Sequence, residues 1–214
     1  QQHQLMLFGL RQSFFLCAPA TAALLVLRQP IIRLLFERGE FGPEGTALAA
    51  GALQYAAIGL IAFAWVKVMV QGYFARQDTR TPVIVAASSM LLNILLNLVL
   101  VRPMGYQGLA LSTSLSFSAN FLVLYLMFGK RYGWLWDASF ARSFAGVLGA
   151  TALFAITLHV AQNGFTAWLG ADSLATRFGA LAGAGITGGL VFAAVCLALN
   201  VPEFETLRRR FMRR

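Results

Sequence analysis

Of the 214 residues in this chain, 58% are hydrophobic and only 12% are charged, which gives a mean hydropathy of +0.69. A water-soluble domain is nearer to about half apolar and roughly a quarter charged, so the composition excludes a soluble enzyme and predicts a membrane protein. The formal net charge of +9 therefore indicates orientation in a bilayer rather than binding to nucleic acid.

Six apolar stretches are long enough to cross a membrane as helices. A bilayer core about 30 Å thick requires roughly 20 helical residues. The charged, Gly- and Pro-containing segments 37–43 and 102–105 are typical of connections between spans. The sequence therefore predicts an all-α, polytopic membrane helix bundle with six transmembrane helices, at residues 13–36, 46–70, 82–101, 107–128, 140–161 and 177–199.

Two prolines predict local features of these spans. Pro30 interrupts the second half of the first span, and we expect the helix to bend there. Thr81 precedes Pro82 at the start of the third span. This pair predicts that Thr81 is a hydroxyl N-cap and that Pro82 is the first helical residue, where its missing N–H has no cost.

The distribution of basic residues predicts the orientation of the chain. Six crossings place both ends on one side, and that side receives twelve of the 17 lysines and arginines, including the five arginines of the segment 208–214. The positive-inside rule therefore predicts that both termini lie in the cytoplasm. Because Gln1 is not an initiator and the following residues resemble the lead-in to a span, we expect the chain to be the C-terminal part of a longer protein.

Polar side chains follow one face of the third span and one face of the fourth, at spacings of four residues. They are Ser89, Asn93 and Asn97 in the third span and Ser112, Ser116 and Asn120 in the fourth. Since few residues join the two spans, we expect an antiparallel pair. The stripes either line an aqueous path or supply oxygen ligands to a small cation such as Na⁺, or they hydrogen-bond across the pair and hold it together. The residues alone favour packing, because neither span contains a carboxylate.

Two basic residues inside spans each have two interpretations. Lys67 lies near the cytoplasmic end of the second span, and Arg28 lies towards the other side of the membrane. Their side chains either extend to the interface or face a cavity and contact a phosphate, with Gln54 supplying hydrogen bonds in between. Lys67, Arg28 and Gln54 are therefore a candidate substrate path. All eight acidic residues lie outside the predicted spans without spacing for acid–base catalysis, so we expect no enzyme.

Several segments between about residue 10 and residue 130 resemble the C-terminal half of the MurJ (MviN) family, the bacterial lipid II flippases. The stretch 74–82, FARQDTRTP, is the most specific of them. The segments that carry the resemblance are 30–41, 55–60, 67–82 and 108–112, together with Asn97. Beyond residue 140 the similarity lies in the hydropathy and in the basic tail.

The resemblance implies part of a two-lobe, fourteen-helix transporter of the multidrug/oligosaccharidyl-lipid/polysaccharide exporter superfamily. Residues 1–130 would be the last four helices of the second lobe. Residues 131–200 would be two extra C-terminal transmembrane helices that form a lipid-tail groove, and residues 201–214 a basic cytoplasmic tail. The N-terminal lobe, which is missing from this chain, would be its partner in the same protein.

The function that the resemblance implies is transmembrane flipping of lipid II, the undecaprenyl-diphosphate-linked peptidoglycan precursor. Lipid II would move from the cytoplasmic to the periplasmic leaflet of the bacterial inner membrane by alternating access. Na⁺ or the membrane potential would drive the step without another cofactor, and the partners would be lipid II and membrane lipids. The implied cation site comprises Asn93, Asn97, the carbonyl of Leu109 and Thr113. The alternatives are export of another polyprenyl-linked glycan or a drug, or a non-transporting membrane scaffold for cell-wall synthesis.

Overall fold

The computed structural model describes residues 2–38, 41–135, 137–170, 173–199 and 201–204, and the regular structure of these residues is entirely helical. Its principal elements are eight α-helices. They are α1 (Gln2–Val26), α2 (Arg28–Phe36), α3 (Pro43–Ile58), α4 (Leu60–Phe74), α5 (Arg80–Met104), α6 (Tyr106–Tyr132), α7 (Ala138–Leu169) and α8 (Leu174–Ala198).

Six helical segments of the described residues are long and apolar enough to cross a membrane, which confirms the predicted number of spans and the all-α class. The second span, Pro43–Phe74, combines α3 and α4. The first span is Gln2–Val26 rather than the predicted 13–36, because the residues after Val26 form a separate short helix, α2. Pro103, expected in a turn, lies inside the last turn of α5.

The break between α1 and α2 lies at Leu27, one turn before Pro30. A proline has no N–H to donate to the carbonyl four residues earlier, here that of Val26, and its ring crowds that carbonyl. The amides of Leu27 and Ile31 keep their helical bonds, to Ala23 at 2.8 Å and to Leu27 at 2.9 Å. The bend expected at Pro30 is therefore present, but it is displaced towards the carbonyl that the proline leaves without a donor.

A second break, at Gly59, separates α3 from α4 within one span. A Cβ added to Gly59 would lie 2.5 Å from Oγ and 2.8 Å from Cα of Ser114, so only a glycine fits there. The Ser114 hydroxyl donates a hydrogen bond of 2.5 Å to the carbonyl of Tyr55, in the last turn of α3. The Ser114 hydroxyl thereby provides a donor where the helical ladder is interrupted.

The start of α5 differs from the prediction for Thr81. The carboxylate of Asp78 accepts hydrogen bonds from the Thr81 amide at 3.0 Å and from the Thr81 hydroxyl at 2.8 Å. Thr81 is therefore a first-turn residue of a helix that begins at Arg80, and the prediction that it is the N-cap was wrong. A carboxylate is a strong acceptor for the free amides at a helix N-terminus, and it displaces the hydroxyl from this role.

The chain divides into two compact units. Unit 1 contains the described parts of residues 1–17 and 52–141, and unit 2 those of residues 18–51 and 142–214. Unit 1 buries Tyr73 and Phe128 in a T-shaped ring contact with centroids 5.5 Å apart, and the Tyr73 hydroxyl donates to the carbonyl of Leu124 at 3.0 Å.

Unit 2 has its own hydrophobic cluster, built on the fully buried side chain of Leu158 in α7. Phe154, one turn earlier, and Ala184 of α8 belong to the same cluster. Small residues on α8 permit this close approach, since a Cβ added to Gly188 would lie 2.9 Å from Leu158. The division at residues 130/131 and 200/201 stays a prediction, and residues 205–214 of the expected tail lie outside the described residues.

Candidate functional site

The two polar stripes face each other across the α5–α6 pair. The helices are joined at Gly105, whose φ of +54° favours glycine. A Cβ added to Gly108 would collide with the carbonyl oxygen of Leu100, so the first turn of α6 lies directly against α5. Further along the pair, the Ser89 hydroxyl donates to the carbonyl of Ser116 at 2.8 Å. The antiparallel neighbours predicted from the short connection are therefore present.

The four residues of the predicted cation site lie in one hydrogen-bonded chain. Nδ2 of Asn97 donates to Oδ1 of Asn93 at 3.1 Å, and Nδ2 of Asn93 lies 3.5 Å from the hydroxyl of Thr113. That hydroxyl donates to the carbonyl of Leu109 at 2.9 Å. The Ser112 hydroxyl hydrogen-bonds with Oδ1 of Asn97. Sequence reasoning thus selected residues that the fold brings together.

A cavity of about 270 Å³ opens beside this chain of hydrogen bonds. Its polar lining includes Ser89, Asn93, Thr113 and Ser116 of the two stripes. Asn120 also lines it, is 7% exposed, and has a buried Oδ1 atom without a hydrogen-bond partner among the described residues. An orphaned amide oxygen of this kind has a substantial desolvation cost, which a cation or a water molecule would offset.

The chemistry of these donors is neutral oxygen. Hard cations prefer carbonyl, amide and hydroxyl oxygens, and this set provides all three. Oδ1 of Asn97 accepts from Ser112, and Oδ1 of Asn93 accepts from Asn97. Each amide oxygen has a second lone pair for a cation. Nδ2 of Asn97, rather than its oxygen, faces Asn93, so a cation bound between these two side chains would need the Asn97 amide to turn. Interhelical packing needs no such change.

The predicted substrate path is divided between the two units. Lys67 of α4 is exposed, with its Nζ 4.2 Å from the centre of the Phe63 ring, which is a cation–π contact. Gln54 of α3 is partly buried in the same unit. Arg28 belongs to unit 2 and donates to the carbonyl of Leu25 at 2.9 Å. The path itself stays a prediction.

The segment that carries the strongest resemblance forms a corner between α4 and α5. The guanidinium of Arg76 lies 4.2 Å from the centre of the Tyr132 ring, and Arg131 pairs with Asp78 at 2.9 Å. Hydrogen bonds from the backbone and then the side chain of Thr81 hold the pKa of Asp78 below its ordinary value, with a smaller contribution from Arg131. Gln77 has a φ of +61° in this tight connection.

The sequence does not predict a polar cavity in unit 2 that involves α2, α7 and α8. Glu37 lies between two arginines there, 3.2 Å from Nε of Arg33 and 3.4 Å from Nη1 of Arg177. Glu37 and Arg177 are 140 residues apart in the chain. The sequence gives only a weak indication of this cavity, which is that basic residues lie at the ends of two spans on the same predicted side of the membrane.

Six membrane-length helical segments, two of which are joined by hydrogen bonds between polar residues, define a multi-pass helical membrane protein. The profile of the family described as "Lipid II flippase MurJ" matches residues 1–179. The chain therefore belongs to the MurJ family of lipid II flippases.

Curated relatives carry the same description. The chain is 35% identical over 206 residues to the "Probable lipid II flippase MurJ" of Rhizobium meliloti, covering 94% of the chain and 38% of that relative. It is 42% identical over 118 residues to the protein of that description from Vibrio cholerae, covering 55% of the chain and 22% of the relative. It is 32% identical over 163 residues to the "Lipid II flippase MurJ" of Burkholderia cenocepacia, covering 76% of the chain and 31% of that relative.

A solved structure has the same fold. It is described as "Lipid II flippase MurJ, inward closed conformation" and superimposes with a TM-score of 0.74 at 21% sequence identity. The match covers 100% of this chain and 40% of that one. The chain thus spans about two fifths of the length of that protein and of the Rhizobium relative.

Proposed function

We propose that this chain is part of a flippase that moves lipid II from the cytoplasmic to the periplasmic leaflet of the bacterial inner membrane, a transport step without chemical catalysis. The observation that carries the proposal is the family match over residues 1–179. The chain would act with an N-terminal lobe, to which residues 1–130 contribute the last four helices of the second lobe. Residues 131–200 would form a groove for the polyprenyl tail.

The physical task fits a helix bundle with internal polar surfaces. A diphosphate-linked sugar headgroup does not cross about 30 Å of hydrocarbon unaided, because unpaired charges there cost many kcal/mol. Two lobes that rock about a hydrated central cavity remove this barrier. An inside-negative potential drives an anionic headgroup outward by about 2.3 kcal/mol per charge per 100 mV, so the step needs no nucleotide.

The α5–α6 pair is the proposed coupling element. Asn93, Asn97, the Leu109 carbonyl and Thr113 would hold Na⁺ once the Asn97 amide turns away from Asn93. Lys67, Gln54 and Arg28 would contact the anionic cargo along its path. What supports the cation role is the neighbouring orphaned oxygen of Asn120, which marks the polar interior of this pair as incompletely satisfied.

A chimaera tests the proposed function. In a Rhizobium meliloti strain depleted of its own protein of this family, a chimaera of that protein would carry this chain in place of the segment that it matches. We expect growth, and loss of the lipid II that accumulates in the cytoplasmic leaflet on depletion. A chimaera carrying Arg102→Gln, at an exposed site at the end of α5, is the control for loss of a cation outside the proposed path.

The same experiment separates the alternatives. Normal lipid II flipping in the depleted strain, with mislocalised cell-wall synthases, would indicate a scaffold. Restored export of a different polyprenyl-linked glycan, with lipid II still on the cytoplasmic leaflet, would indicate another cargo.

A further inference from the structure

Unit 2 contains a groove beside α7 that is lined in part by polar and basic side chains. One part is a cavity of about 430 Å³. A neighbouring cavity of about 530 Å³ shares part of its lining, so the two form one groove, which we call the α2–α7 groove. The shared residues are Gln29, Pro30, Gln162 and Asn163; Arg33 and Arg177 line the first cavity, and Arg28 and His159 the second.

The described side chains that line the groove carry an excess of positive charge. Of the described residues that line it, Arg28, Arg33 and Arg177 are basic and none is acidic. Glu37 contacts both Arg33 and Arg177 and also accepts from the Thr46 hydroxyl at 3.1 Å. The Arg33 side chain is 50% exposed, so its guanidinium has room to turn towards a ligand.

The groove also contains a hydrogen-bond acceptor, the side-chain oxygen of Gln162, that has no donor among the described residues. Oε1 of Gln162 is buried and has no hydrogen-bond partner among the described residues, while its Nε2 donates to the Thr166 hydroxyl at 3.1 Å. Asn163 is paired with His159 at 3.2 Å. A ligand that supplies an anion to the arginines, and an N–H or O–H donor to Gln162 once its buried amide oxygen turns towards the groove, satisfies both.

The position of the groove points to the headgroup layer of the membrane. Gln162 and Thr166 lie in the last two turns of the span that ends at Leu169, and Arg177 lies in the first turn of the span that begins at Leu174. Trp168, 79% exposed next to these residues, has the amphipathic ring that favours this depth. Phosphates of membrane lipids lie at the ends of such spans.

We propose that the α2–α7 groove binds a phosphate-bearing lipid headgroup, with the phosphate at Arg33 and Arg177 and a hydroxyl or ammonium donor of the headgroup at Gln162. The proposal goes beyond lipid II transport and does not depend on it, because a lipid that carries a phosphate and a donor satisfies the groove whether or not the protein flips a cargo.

Binding to the purified full chain in a neutral detergent tests the proposal by native mass spectrometry. The probes are short-chain phosphatidylglycerol, phosphatidylethanolamine, phosphatidylcholine, diacylglycerol and inorganic phosphate. We expect the first two, which carry donors, to bind more tightly than phosphatidylcholine, and diacylglycerol not to bind at this site. Inorganic phosphate that binds as tightly as the lipids would overturn the lipid assignment, and equal binding of diacylglycerol would overturn the phosphate site.

Variants assign the binding to the groove. Arg33→Gln with Arg177→Gln should weaken phosphatidylglycerol binding about tenfold or more, since bonds to charged groups are the strong ones. Arg102→Gln removes an exposed cation from unit 1 at a span end predicted to lie on the same side of the membrane, and it should leave binding unchanged. Equal losses in both would overturn the proposal.

A second pair of variants keeps the test decisive if the double variant fails to fold. Glu37→Gln removes the competing carboxylate and should tighten phosphatidylglycerol binding, whereas an ion pair with only a structural role predicts no gain. Gln162→Leu should reduce the preference for phosphatidylethanolamine over phosphatidylcholine without abolishing binding. Unchanged affinity in Glu37→Gln and an unchanged preference in Gln162→Leu would together refute the site.

Discussion

At the scale of single residues, the contact between Gly59 and Ser114 shows how one missing side chain shapes a span. Ser114 approaches Gly59 with its own Cα, which is backbone and does not move aside as a flexible side chain would. The α3–α4 break and the bond from Ser114 to Tyr55 depend on this approach.

We therefore expect Gly59→Ala to destabilise the protein by about 1–3 kcal/mol, because overpacking forces the two helices apart. Gly149→Ala and Gly185→Ala are matched controls, since nothing lies within 4 Å of an added Cβ at either position. Both controls should be neutral or slightly stabilising, by up to about 1 kcal/mol, from helix propensity alone. Thermal unfolding followed by size-exclusion chromatography measures the difference, and an equally stable Gly59→Ala would contradict the contact.

Asp78 gives a prediction on pH. Its pKa is lowered in the folded state from an ordinary 3.8, so its stabilising contribution is complete above that value and is lost as the pH falls through the folded pKa. We expect acid to destabilise the protein below about pH 4, and Asp78→Asn to be less stable at neutral pH with a shallower acid dependence.

The contributions that lower the pKa of Asp78 differ in size, and their order provides controls for this prediction. Thr81→Val removes the hydroxyl hydrogen bond to Asp78 and keeps the one from the backbone amide. Because the hydroxyl bond lowers the pKa of Asp78 more than the charge of Arg131 does, Thr81→Val should flatten the acid dependence more than Arg131→Gln does. Melting temperatures from pH 3 to pH 7 measure both. A larger effect of Arg131→Gln would indicate that the exposed ion pair governs this corner instead.

At the scale of helices, the hydropathy pattern predicted the features that depend on neighbouring residues. It did not predict the features that depend on contacts between residues far apart in the chain. The number of spans and the polar faces of α5 and α6 follow from apolar length and from the period of the helix. The break at Gly59 depends on Ser114, and the pairing of Glu37 with Arg177 joins residues far apart in the chain. In both contacts the two residues lie far apart in the sequence, so the spacing of polar and apolar residues within one helix does not predict them.

The α5–α6 pair also carries a prediction. Asn97→Asp places a carboxylate among the neutral oxygens, and a carboxylate is a stronger ligand for a hard cation than an amide. We expect Na⁺ to raise the melting temperature of Asn97→Asp more than that of the original chain, with choline as the control cation. Equal responses to Na⁺ and choline in both proteins would leave interhelical packing as the role of these residues.

A variant that removes the proposed cation ligands gives a second test of the same role. Asn97→Leu with Thr113→Val should impair complementation by the chimaera while leaving the amount of folded protein nearly unchanged, because Thr113 is exposed and Asn97 is only partly buried on a membrane span. Full complementation by this variant would refute the cation role, and loss of folded protein would indicate that the hydrogen-bonded chain holds the pair together.

At the scale of the whole molecule, orientation is the feature on which the functional proposal depends, since a flippase must present its cationic loops to one compartment. The bias of twelve basic residues against five predicts that the α4–α5 connection lies in the cytoplasm and that the segment before α3 lies outside. In a chain with Cys17→Ala and Cys196→Ala, single cysteines introduced as Ala75→Cys and Gly42→Cys sample these two connections.

A membrane-impermeant thiol reagent applied to intact spheroplasts should label Gly42→Cys and not Ala75→Cys. After permeabilisation it should label both, because Ala75 is exposed and an added side chain at Gly42 meets nothing within 4 Å. The reverse pattern would place the arginines of the α2–α7 groove in the cytoplasmic leaflet. It would leave the driving force unchanged, because an inside-negative potential favours outward movement of an anionic headgroup whichever way the protein is inserted.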